Sequence, residues 1–138
     1  MRKKKEERLQ SQLARYIRLQ YPNVVFTSES SGLRVPMGLA VQMKGQRSKH
    51  KLPDMIILQS NEKYNGLIIE LKKDYATLYK KDGTFRKSEH IDNQRETLRL
   101  LKLQGYMAVF ACGFEDAKNV VDYYMSVKKD KIIQKNTI

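Results

Sequence analysis

Two apolar runs decide the fold: Pro53-Asp54-Met55-Ile56-Ile57-Leu58 and, after a polar break around Asn61, Gly66-Leu67-Ile68-Ile69-Glu70-Leu71-Lys72. Both read as strands, Met55 to Leu58 and Gly66 to Leu71, and the polar break between them predicts an antiparallel hairpin. Asp54 then begins one strand and Glu70 ends the next, which sets the two carboxylates side by side at one edge of the sheet. Strand alternation puts Glu70 and Lys72 on one face and Leu71 on the other.

Upstream, Lys5 to Gln20 carries Leu9, Leu13, Tyr16 and Ile17 at helical spacing, with Arg8, Arg15 and Arg18 on the other sides and Pro22 as a stop. Val24 to Thr27 reads as a short strand and Ser28 to Gly38 as a loop. Leu39 to Met43 is apolar enough to pack, and the basic stretch Lys44 to Lys51 reads as an exposed loop. Downstream, Asp82-Gly83 signals a tight turn and possible second hairpin within Lys72 to Phe85. His90 to Gln104 is helical, with Ile91, Leu98, Leu101 and Gln94 sharing a side and Gly105 ending it. Met107 to Cys112 reads as a buried strand. Asp116 to Val127 reads as a last helix, with Ala117, Val120, Val121 and Tyr124 inward. The order is helix, strand, loop, strand, strand, helix, strand, helix. That predicts an α/β fold with a central mixed β-sheet flanked by α-helices: a single domain over 1–138, with a core of about 5–127 and a polar tail from 128 to 138.

The chain of 138 residues carries 27 Lys+Arg against 15 Asp+Glu, a net charge of +12. The excess is uneven: Met1 to Lys51 holds 12 basic residues and 3 acidic ones. Such an imbalance costs self-repulsion and points to a polyanionic partner. The single cysteine, Cys112, excludes a disulfide framework and fits a buried strand position rather than a catalytic thiol. No apolar run approaches a membrane span and the basic N-terminus lacks a signal-peptide core, so a soluble, intracellular, cytoplasmic protein without membrane partners is expected.

The chemistry follows from the hairpin. Two converging carboxylates make a hard-oxygen site suited to Mg²⁺ or Mn²⁺, and the main-chain carbonyl of Leu71 can add a ligand. Such a cation polarises a phosphate and lowers the pKa of a bound water, while Lys72 orients that water or stabilises developing negative charge. Phosphodiester hydrolysis fits this set; a surface ion pair on a strand is the bland alternative. Lys44, Arg47, Lys49, His50 and Lys51 lead directly into Asp54. With Arg34 and Lys73 they form a phosphate-tracking surface or, on the plainer reading, a solvated loop. His50 and His90 are alternatives as ligands or bases, but Lys72 and the metal already cover that chemistry. Tyr75, Tyr79 and Phe85 read as hairpin packing or a dimer contact ahead of stacking on unpaired bases. Spacing alone makes Glu6 a surface salt-bridge residue near the buried edge of its helix.

Pro53-Asp54 with Glu70-x-Lys72 has the PD-(D/E)XK nuclease form. More narrowly, the chain from about Glu6 to Tyr124 resembles the virus-type replication–repair nuclease (VRR-NUC) domain in its small stand-alone phage form. Glu6-x-x-Leu9-Gln10 resembles the first-helix Glu motif, and Met43-Lys44 the Leu-Lys before the catalytic loop. Ser31-Gly32-Leu33-Arg34 stands where members often have Asn-Gly-Gly-x-Arg, Gln94 resembles the Gln after Glu-x-Lys, and Gly105-Tyr106 opens the last strand. Leu52 replaces the glycine usual before Pro-Asp, and Ser31 the loop Asn. The resemblance implies a restriction-endonuclease-like fold, and it adds Glu6 (binding metal directly or through water) and Gln94 (orienting the site) to Asp54, Glu70 and Lys72. It implies DNA as substrate, branched junctions in particular, and a homodimer. The leading expectation is therefore a dimeric Holliday-junction resolvase using Mg²⁺ or Mn²⁺. A nickase or exonuclease on flaps, ends or duplex is the alternative, and a non-catalytic nucleic-acid-binding module is the alternative of another class.

Overall fold

The computed structural model describes residues 2–29 and 35–129. In chain order the elements are α1 (Arg2–Gln20), β1 (Phe26–Ser28), α2 (Met37–Gly45), β2 (Met55–Ile57), β3 (Leu67–Lys72), α3 (Tyr75–Leu78), α4 (Glu89–Leu103), β4 (Met107–Cys112) and α5 (Phe114–Ser126). The sheet runs β1-β2-β3-β4; β1–β2 and β2–β3 pair antiparallel, β3–β4 parallel. This is the expected α/β architecture, a mixed sheet between helices. The parallel step needs a long crossover, and α4 supplies it.

Every residue of β3 is buried, because helices cover both of its faces. On one face Leu67, Ile69 and Leu71, with Met55, Ile57 and Ala111, pack against Leu9, Leu13 and Ile17 of α1 and Ala117, Val121 and Tyr124 of α5. On the other, Ile68 and Ala108 meet Leu98 of α4. Tyr16 and Tyr21 both donate to Asp122 Oδ1, at 2.6 and 2.7 Å, and so tie α1 to α5. The polar turn before β3 is built on Asn61. Its Oδ1 accepts from the amides of Lys63 and Tyr64, and its Nδ2 donates to Tyr124 O. Gly105 ends α4 at φ +88°, and a Cβ there would stand 2.6 Å from Asn65 Nδ2.

Several expectations are corrected. Leu39 to Met43 does not pack: it lies within α2, which has no buried residue. Apolar residues at 37, 39, 41 and 43 recur at the period of a strand, so on a helix they scatter around the axis and make no single face. The basic stretch is accordingly helical as far as Gly45. The first strand sits later than expected, at Phe26–Ser28. The segment after Lys72 contains the short helix α3, N-capped by Asp74, before a minimal hairpin bridged at Tyr79 and Phe85. β4 is an edge strand in which only Ala108 and Ala111 are buried; the other residues, Cys112 among them, are half-buried. The Ser31–Arg34 motif, Arg34 with it, and the tail from 130 lie outside the described residues.

Candidate active site

The hairpin register, Met55↔Ile69 and Ile56↔Ile68, places Asp54 opposite Glu70, one step beyond the last ladder pair. Glu70 in turn faces Phe110 across the parallel step, and Lys72 faces Cys112. Asp54, Glu70 and Phe110 therefore form one row across the sheet, with Lys72 next along the same face.

Asp54 is held from three sides. Its main-chain oxygen accepts from the Glu29 amide at 2.8 Å and from Gln10 Nε2 at 2.9 Å. Its carboxylate Oδ2 accepts from the Leu71 amide at 2.8 Å. Gln10 also donates to Glu29 O, so one α1 side chain fixes both the end of β1 and the start of β2. Glu70 is 8 % exposed and accepts from Gln94 Nε2 at 2.9 Å. Burial, and then the charge and hydrogen bond of Asp54, push the Glu70 carboxyl from its ordinary 4.5 up to about 9, against the opposing pull of Lys72 and Lys51. A carboxyl raised so far keeps its proton at neutral pH unless a cation takes its place.

Lys72 is 5 % exposed, with Nζ 5.9 Å from the centre of the Phe110 ring. Beside Glu70 opens a cleft of about 430 Å³, lined by Lys49, His50, Lys51, His90, Asn93, Gln94, Glu96 and Thr97. His90 Nε2 lies 3.1 Å from Gln94 Nε2. Burial, with the charges of Lys72 and Lys51, pushes its imidazole toward the neutral form, and Asp54 opposes this.

The fold thus brings Asp54, Glu70, Lys72 and Gln94 together with Lys49 and Lys51. Glu6 lies one helical turn before Gln10, on the side of α1 that reaches Asp54. Among the described residues, however, no three His, Cys, Asp or Glu side chains gather at metal-binding distance. Arg47 is paired with Glu29 at 3.2 Å, Lys44 is exposed near the end of α2, and Lys73 follows β3. Sequence reasoning passed over Gln10, quoted only within a motif, although it is four residues after Glu6. It set His90 aside, although His90 is one turn before Gln94. Burial and the charge of Asp116 and then Asp74 push the Cys112 thiol up, away from a reactive thiolate.

The donor chemistry fits a divalent cation. Each carboxyl has one oxygen engaged by a fixed donor, Leu71 N–H or Gln94, and the two groups converge. Gln94 Oε1 is buried and makes no hydrogen bond, an acceptor suited to a hydrated cation. Two carboxylates with water and phosphate completing the shell is a Mg²⁺ pattern; a structural zinc site needs more protein ligands.

No family model matches the chain, and no curated protein matches it. Among solved structures, a protein described as a VRR_NUC domain protein superposes with a TM-score of 0.64 over 90 % of each chain, at 23 % identity. The chain has the fold of a VRR-NUC domain.

Proposed function

We propose that this chain is a metal-dependent nuclease that hydrolyses phosphodiester bonds of DNA. The observation that carries the reading is half-buried Asp54 beside buried Glu70, with buried Lys72 on the same sheet face and a basic cleft beside them. Asp54 and Glu70, with the Leu71 carbonyl and Glu6 as further candidate donors, would hold Mg²⁺ or Mn²⁺. That cation supplies Lewis acidity toward the scissile phosphate. Lys72 stabilises the charge that builds on the phosphate, in a buried setting where such stabilisation is strong. Gln94 holds Glu70 in place. Lys49 and Lys51 carry the backbone into the cleft, and Lys44, Arg47 and Lys73 extend the basic surface.

The finer reading is a branched-DNA endonuclease, a Holliday-junction resolvase, working as a homodimer. Two cuts related across a four-way junction suit two sites related by a two-fold axis. The exposed apolar helix α2 is a surface that a second copy could cover. The test is cleavage of labelled duplex, flap and four-way junction DNA with Mg²⁺ or Mn²⁺, run beside a mass measurement in solution. Paired symmetric cuts on the junction are expected, with cleavage abolished by Asp54→Ala and reduced about 10²–10³-fold by Lys72→Ala. Activity that survives both substitutions would falsify the assignment. Binding without cleavage, unchanged by Asp54→Ala, would make the chain a binding module. Cuts confined to ends or flaps would make it an exonuclease or flap enzyme.

A further inference from the structure

The segment between β3 and α4 is unused by the catalytic set. It carries a continuous array of rings. Tyr75 and Tyr79 stack with centroids 4.4 Å apart, Tyr79 and Phe85 lie 4.9 Å apart, and Phe85 and Phe110 6.1 Å apart. Phe110 is the ring under Lys72 Nζ and the cross-strand partner of Glu70. The array therefore runs from the catalytic row out to Tyr75, which is 59 % exposed.

The array is held rigidly. Asp74 caps α3 through Thr77, Asp82 accepts from the amide and hydroxyl of Thr84, and Arg86 Nε donates to Ala76 O. Arg95 lies over the Phe85 ring at 4.1 Å. Both acids of the segment are thus engaged in its own turns. The same segment carries Lys73, Lys80, Lys81, Arg86 and Lys87, the last three exposed and the first two half-buried. Tyr79 and Phe85 are consumed by hairpin packing, as the sequence suggested, but the outer face of Tyr75 is not.

We propose that Tyr75 is a stacking platform for a nucleotide base left unpaired at a branch or end, a short way along the strand from the scissile phosphate, with the intervening phosphates tracked by the basic residues of the segment. This rests on the nuclease reading above and names the feature of the DNA that the site prefers. A flat exposed ring backed by a second ring, beside cations and leading to the reacting groups, suits a single strand: its base has a free face and its phosphates stay within reach of the lysines. A paired duplex base offers no such face.

The experiment uses the full chain with Ca²⁺ replacing Mg²⁺, on one duplex made blunt or with a short single-stranded extension carrying 2-aminopurine. The expected result is tighter binding of the extended duplex by about ten-fold and quenching of the probe. Tyr75→Ala should abolish both the preference and the quenching, and Tyr75→Phe should keep them. Equal preference in the unaltered chain and Tyr75→Ala overturns the proposal. So does a drop in solution mass with Tyr75→Ala, which would make the ring a self-contact. If the unaltered chain neither binds nor cuts any DNA, the nuclease reading falls and takes this one with it. If it cuts and Tyr75→Ala changes nothing, this inference falls alone.

Discussion

At the scale of single residues, the buried Glu70 carboxyl shapes how stability responds to pH. Glu70 is raised to about 9 in the fold from an ordinary 4.5, so between those values the folded chain keeps a proton that the unfolded chain has lost. Stability of the metal-free protein should therefore fall as pH rises from about 5 toward 9, by up to about 1.4 kcal/mol per pH unit for this one group. Thermal melts in EDTA should show the decline, Glu70→Gln should flatten it, and Mn²⁺ should oppose it at pH 8. A Glu70→Gln protein with an unchanged slope would place the proton elsewhere. Gln10 offers a second check. Gln10→Ala leaves the main-chain oxygens of Glu29 and Asp54 without their side-chain donor, and denaturant titration should report a loss of about 1–2 kcal/mol. If Asp54 serves the proposed cleavage, that activity should fall further than stability explains, because the same contact positions Asp54. The Asp54–Glu70 pairing was legible in the sequence because strand alternation and one polar turn suffice to predict it. Gln10 was not, because a hydrogen bond to a distant main chain leaves no periodic trace.

At the scale of elements, β2, β3, α4, β4 and the two long outer helices could be read from hydrophobic period and punctuation. The elements that escaped were α2 and α3. The first has apolar residues at the wrong period for a helix face, and the second is four residues long and set by a local cap. Tertiary setting, rather than pattern, decides both. The β2–β3 turn is a sharper case: Asn61 was visible as a polar break, but its bond to Tyr124 O was not. Asn61→Ala removes acceptors for two amides and a donor to α5, and is expected to lower stability by about 2–3 kcal/mol, measured as a shift in the urea midpoint. If the proposed metal-dependent cleavage holds, the same substitution should leave its response to Mg²⁺ unchanged, since the turn lies at the opposite end of the hairpin from Asp54.

At the scale of the whole molecule, the charge surplus sets the terms of association. If DNA phosphates are its partner, log affinity should fall linearly with log salt, with a slope of about −0.9 per phosphate neutralised on duplex. Charge removal at Lys49 and Lys51 together should shallow the slope by about two, while Arg47→Ala should change it less, because Glu29 already engages that guanidinium. A slope unmoved by the lysine pair would remove the cleft from the binding surface. No helix among the described residues is long and apolar enough to cross a membrane. The fold was predictable at this scale because six well-patterned elements leave few ways to assemble. The arrangement of Phe85, Arg95 and Phe110 beside Lys72 depends on a crossover, and sequence distance hides it.

The tie between the first and last helices has a bearing on how the chain is made. Tyr16 and Tyr21 meet Asp122, and the slab under β3 needs Val121 and Tyr124. During synthesis the carboxylates and Lys72 emerge well before that slab can close. A ribosome-bound chain lacking α5 has all the groups of the candidate centre but only the α1 half of the floor beneath them. The centre should therefore reach its final geometry late, with the emergence of α5.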